Sequence, residues 1–150
     1  MVPLEALVAK LLITAKVLAG YPVPAAAPLV RFASDPELAA IACAGGCQAH
    51  GLLNGLFEPE HGIVLSRRLD PLGDVRARAV LLHEIVHYLQ EENGRFADRP
   101  ACERHYLRER EAYAVENRYL ARYQEPPNQG WLLIVQHGGL TACQDDASRR

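Results

Sequence analysis

Residues 83–87 read His-Glu-Ile-Val-His, inside an apolar run that spans residues 80–89. On a helix, residues four apart lie one above the other, so His83 and His87 can offer two imidazoles to one metal ion. Glu84 follows one residue later, about 100° round the helix, beside such an ion but not on it. That is where a general base for an activated water has to stand. The chemistry expected is zinc-dependent hydrolysis. Zinc lowers the pKa of a bound water to roughly 7, from ~15.7 in bulk, and Glu84 takes the proton and returns it to the leaving amine.

The surrounding residues supply a helix to hold these groups. Asp74 can cap its start, Gly94 can end it, and nothing between residues 75 and 92 breaks it. Val80, Leu82, Ile85, Val86 and Leu89 fall on different faces, which is the pattern of a helix buried between other elements. Two histidines and a glutamate in such a place need partners, because an unpaired buried polar group costs on the order of 2 kcal/mol. One metal ion serves all three. Two core histidines bonded to backbone carbonyls are the bland alternative, and they leave Glu84 unexplained.

A catalytic zinc site takes a third protein ligand and keeps a fourth position open. The next helical stretch, about residues 102–123, carries Glu103, Glu109, Glu111 and Glu116. An HExxH helix followed by a second helix with a Glu-x-x-Ala pattern resembles the gluzincin group of zinc metallopeptidases. The segment Glu109-Arg110-Glu111-Ala112-Tyr113 is similar to the ExEAN segment of small bacterial metallopeptidases that cleave phage repressors and radiation-response regulators. The resemblance implies Glu109 as third ligand, with Glu111 as second choice because it heads its own Glu-x-x-Ala match with Ala114. It also implies zinc, a peptide or protein substrate, and a minimal zincin-like domain. The chain departs from that family at Tyr113, where the family has Asn. The other glutamates are expected on a solvated helix face.

Residues 62–66 form a short β-branched run, and residues 28–33 and 52–57 are further strand candidates. In minimal gluzincins a strand before the HExxH helix is an edge strand that binds extended peptide through free backbone groups, and the resemblance gives residues 62–66 that role. The expected order is a helix at about 4–19, a strand, a short helix at 36–43, two strands and two long helices. This is an α+β domain with a small, mostly antiparallel sheet packed against the active-site helix and the ligand-bearing helix. One domain over residues 1–150 is expected, with its motif core at about 50–123.

Composition narrows the partners. The chain has 150 residues, 49% hydrophobic, enough for a single core. A net charge of −2 without a basic cluster argues against a nucleic-acid surface. The longest apolar stretches, interrupted by Lys10, Lys16 or the histidines, do not span a membrane. Residues 1–20 suit an amphipathic helix better than an export signal, since Glu5 comes early and Lys10 breaks the stretch. Residues 22–28 read as a proline-alanine linker, and the segment from Pro126 onward suggests only packing.

Cys43, Cys47, Cys102 and Cys143 leave disulfides and buried free thiols both open, and with them an exported, oxidised location. If bridged, a link from the Cys43–Cys47 region to Cys102 or Cys143 is expected, because it would close a long loop. An oxyanion donor should come from Tyr88, Tyr106, Tyr113, His105 or His137. Two other classes of function compete with the enzyme: a zincin-like metal-containing binding module without catalysis, and a metal-free helical interaction protein.

Overall fold

The computed structural model describes residues 3–44, 53–136, 138–141 and 143. Along them run α1 (Pro3–Ala19), β1 (Val30–Ala33), α2 (Asp35–Ala42), β2 (Gly55–Glu58), β3 (Gly62–Ser66), α3 (Val75–Glu92), α4 (Ala101–Arg122) and α5 (Gly130–Gln136). The fold is α+β, and the order is the one expected from the sequence, with α5 added.

Local chemistry sets the boundaries. Ser34 caps α2 by accepting a hydrogen bond from the Glu37 amide. Asp74 caps α3, its carboxylate accepting from the amides of Arg76 and Ala77. Gly94, at φ +60°, takes the left-handed turn that lets the chain leave α3. In α1 the stripe Val8, Leu11, Leu12 and Ala15 is buried and the opposite face is wet. In α3, by contrast, Leu81, Leu82, Ile85, Val86 and Leu89 are all fully buried. This helix lies between the sheet, α1 and α4, so every face needs apolar side chains.

The sheet differs from the expected one in two ways. Its order is β1-β3-β2, with β1 parallel to β3 and β2 antiparallel to it, so it is mixed rather than mostly antiparallel. Residues 62–66 are its central strand, not an edge. The reason is visible in the run Ile63-Val64-Leu65, apolar at consecutive positions and fully buried. Ile63 and Leu65 join the core with α1, α3 and α4, while Val64 packs with Ala33 and Leu38 on the other face. The edge strand beside α3 is β2. Its first residue, Gly55, has no room for a side chain, since a Cβ there would meet Leu65 Cδ2 at 2.8 Å and Glu84 Cγ at 3.4 Å.

Cys102 is bonded to Cys143, Cα to Cα 5.6 Å, which ties the start of α4 to the segment after α5. This corrects the expected link from the Cys43–Cys47 region to one of these two. The chain folds back along α4 through α5, bringing residue 143 to residue 102, whereas α2 lies across the sheet from α4. Cys43 is itself disulfide-bonded. Cys47 and His137 lie outside the described residues. No helix among the described residues is long and apolar enough to cross a membrane.

Candidate metal centre

α3 and α4 pack side by side, and each turns one polar stripe toward the other. From α3 come His83 and His87. Glu109, Tyr113 and Glu116, spaced by four and three residues, share one face of α4. His83, Glu84 and Glu116 are 7%, 7% and 2% exposed, so this is polar chemistry inside the core.

His83, His87 and Glu109 converge to form a group that could hold a metal ion. The two Nε2 atoms are 3.2 Å apart. A Glu109 oxygen lies 2.8 Å from His87 Nε2, and its other oxygen lies 3.3 Å from His83 Nε2. Tetrahedral ligands about 2.0–2.1 Å from zinc sit about 3.3 Å from one another, so the triangle has the right size.

The protons say the same. His83 Nδ1 faces a carboxylate oxygen of Glu116 at 2.8 Å, and His87 Nδ1 faces the amide oxygen of Gln90 at 2.9 Å. Gln90 is held in that orientation because its Nε2 donates to Arg108 O and to Glu111. Both Nδ1 atoms therefore donate. In the neutral rings both Nε2 lone pairs then point inward, at each other and at the Glu109 carboxylate. Three acceptors in mutual contact need a cation between them, either protons or a metal ion.

Without a metal, protons take that role. Burial pushes the His83 imidazole down, but its hydrogen bonds to the Glu109 and Glu116 carboxylates outweigh it and raise the pKa to about 10. For His87 burial is likewise overcome, chiefly by Glu109, and its pKa is raised. Burial pushes the Glu109 carboxyl up, yet its hydrogen bonds to the two histidines hold it below the usual carboxylate range. Glu84 is raised, because burial exceeds the opposing pull of the histidines.

Glu84, His83, Tyr113, Glu116 and Asn128 line one cavity of about 190 Å³, together with Asn54 and Gly55 at the start of β2. Glu84 thus stands between the histidines and the edge strand. Among the described sequence candidates for an oxyanion donor, only Tyr113 lines this cavity. The Tyr88 hydroxyl donates to Ala26 O, 2.7 Å away, and His105 and Tyr106 meet edge-on elsewhere on α4. The Tyr113 ring lies edge-on to His83, centroids 4.5 Å apart.

Glu111 is not brought to the cluster. It accepts from the Tyr21 hydroxyl and from Gln90, and it faces Arg95. Two residues along a helix turn the side chain by about 200°, so Glu109 and Glu111 could not both point at His83 and His87, and Glu111 meets α3 only at Gln90. Glu116 corrects the expectation of a solvated face. It is buried and bridges His83 to Asn128, whose Nδ2 donates to Glu116 Oε1 at 2.8 Å. Its seven-residue spacing from Glu109 was the available signal, since that spacing returns to the same face. Gln90 and Asn128 were also missed. Gln90 sits three residues after His87 on the same helix, whereas nothing local marks Asn128.

No curated protein and no solved structure matches the chain. One family model matches residues 2–146, and by that match the chain belongs to the family described as a domain of unknown function, DUF6647.

Proposed function

We propose that this domain is a zinc metallopeptidase of the minimal gluzincin type, with a zincin-like arrangement of sheet and helices. The observation that carries the reading is the convergence of His83, His87 and Glu109 with Glu84 on the wall of the adjoining cavity. A helical HExxH pair alone would leave the third ligand and the access route undefined.

His83 Nε2, His87 Nε2 and Glu109 would hold the ion. Zinc bound there would supply Lewis-acid chemistry, polarising a carbonyl and making a water acidic near pH 7. The remaining work belongs to this chain's own residues. Glu84 accepts the proton of the attacking water and delivers it to the departing amine nitrogen. Glu116 and Gln90 hold the imidazoles with their Nε2 lone pairs inward. Tyr113 lines the cavity, and its hydroxyl is the group we assign to donate to the oxygen of the attacked carbonyl. β2, paired on one side only among the described residues, would give an extended peptide a backbone ladder that begins beside Glu84.

The test is peptide cleavage by the zinc-loaded protein on a library of extended peptides, with Glu84→Gln as control. The amide is nearly isosteric and leaves the ligands alone, so zinc and fold should persist while turnover falls roughly 100- to 10,000-fold. Equal cleavage by both proteins would assign the activity to a contaminant. Bound zinc with no cleavage by either would favour a metal-containing binding module.

A further inference from the structure

A cavity of about 580 Å³ lies between α1, the loop before α3 and the last turns of α4. It shares no lining residue with the cavity at the metal centre. Its volume is that of a small-molecule site, for which the usual range is about 300–1,000 Å³.

The charged residues on its wall are Lys10 and Arg78, both cationic. Five described arginines sit beside carboxylates, Arg67 by Glu37, Arg68 by Asp35, Arg76 by Glu125, Arg95 by Glu111 and Arg108 by Glu91, while Arg118 donates to the Leu18 carbonyl instead. Arg78 is half-buried and, among the described residues, has no carboxylate in ion-pair range. Neutral groups orient it instead. Its Nε donates to the Tyr119 hydroxyl at 3.3 Å, and its Nη1 donates to the carbonyls of Pro71 and Leu72 at 3.4 and 3.3 Å. Those bonds explain Arg78 as a staple for the loop. They leave the two N–H groups of Nη2 and the Lys10 ammonium without acceptors among the described residues. A half-buried cation lacking a counter-ion carries a desolvation cost that a bound anion would offset. Apart from Thr14, the other side chains of the wall are apolar or aromatic, with Leu7 on α1, Leu72 in the loop, and the rings of Tyr119 and Tyr123.

We propose that this cavity binds a small amphiphilic carboxylate, its head on Arg78 and Lys10 and its apolar body against Leu7, Leu72 and Tyr123. The fixed guanidinium sets the position of the head, and Leu7 and Leu11 on α1 flank the body.

The test is calorimetric titration of the zinc-loaded full chain with octanoate, 4-phenylbutyrate and, as the uncharged control, octanamide. Saturable one-site binding of at least one acid is expected, with octanamide about 10-fold weaker or more, because a charge-assisted contact is lost. Lys10→Glu, a change at an exposed helix position, should weaken the acid about 10-fold, and Arg78→Gln should weaken it at least as much. If Arg78→Gln does not fold, Lys10→Glu decides. The tighter of the two acids identifies the body as aliphatic or aromatic. Absence of saturable binding would overturn the proposal, as would equal binding of octanoate and octanamide. Acid affinity unchanged in Lys10→Glu would also overturn it, because the carboxylate would then not be held at this cavity.

Discussion

Glu116 accepts the Nδ1 proton of His83 at 2.8 Å, and it lies two helical turns beyond Glu109 on the same face of α4. One helix therefore supplies both a carboxylate for the metal position and a carboxylate that orients an imidazole toward it. The second of these passes the constraint on, since Asn128 donates to Glu116 and is itself fixed by Asn117 and the Gly130 amide. The loop between α4 and α5 thus reaches the candidate metal centre through two hydrogen bonds.

Glu116→Ala should leave a buried N–H on His83 with no acceptor and let the ring turn. Zinc affinity should fall about 10- to 100-fold while the stoichiometry of about one ion at saturation is kept. Competition against a chelator of known affinity measures this. Unchanged affinity would mean that Glu116 serves packing alone.

The third ligand gives a sharper contrast. Glu109→Gln should weaken zinc about 10-fold or more, whereas Glu111→Gln, which alters the contacts with Tyr21, Gln90 and Arg95, should leave zinc binding nearly intact. His83→Ala and His87→Ala should each abolish tight binding. Elemental analysis of each variant after zinc loading and dialysis separates these outcomes, and comparable losses from Glu109→Gln and Glu111→Gln would defeat the assignment.

What the sequence disclosed, and what it hid, follows from the range of the interactions involved. His83, Glu84 and His87 were legible because a four-residue spacing on a helix has one geometric meaning. Glu109 came from a motif resemblance, and its separation from Glu111 needed the α3–α4 packing to be known. Glu116 was misassigned because charge on a helix defaults to solvent, and only the neighbouring His83 overrides that default. The strand at residues 62–66 was found, but its central place depends on α2 covering the far face of the sheet. Asn128 and the Cys102–Cys143 pair are contacts made by chain reversal after α4, and no local pattern encodes where that reversal returns.

The proton-filled cluster has a pH signature. With His83 raised from 6.5 to about 10, protonation favours the folded metal-free state. That contribution is fully present below about pH 6.5 and is lost as pH rises through about 10. His87 and Glu84, also raised, act in the same direction. Glu109 is lowered, so its contribution is present above about pH 4.5 and is lost on acidification below it. Chelated protein should therefore melt at progressively lower temperature from pH 7 to pH 10. Zinc replaces those protons, so the zinc-loaded protein should hold its melting temperature over that interval and should release protons on binding. Parallel thermal melts with and without chelator check the difference. Identical slopes would show that the cluster does not couple to folding.

Tyr113 separates chemistry from architecture at the same centre. Its ring packs edge-on against His83, while its hydroxyl makes no hydrogen bond among the described residues. Gly130 stands against that hydroxyl with no side chain of its own, and any Cβ there would collide with it. Tyr113→Phe removes the hydroxyl and keeps the ring, so zinc content and melting temperature should stay close to wild type. If the hydroxyl donates to the oxygen of the attacked carbonyl, kcat should fall about 100- to 1,000-fold, with KM changed only a few-fold, because the bond forms fully only in the transition state. A rise in KM at constant kcat would assign Tyr113 to substrate binding instead. Gly130→Ala should push the hydroxyl from its place and reproduce part of the kcat loss, whereas a purely structural role for the tyrosine would make Gly130→Ala and Tyr113→Phe differ in stability rather than in turnover.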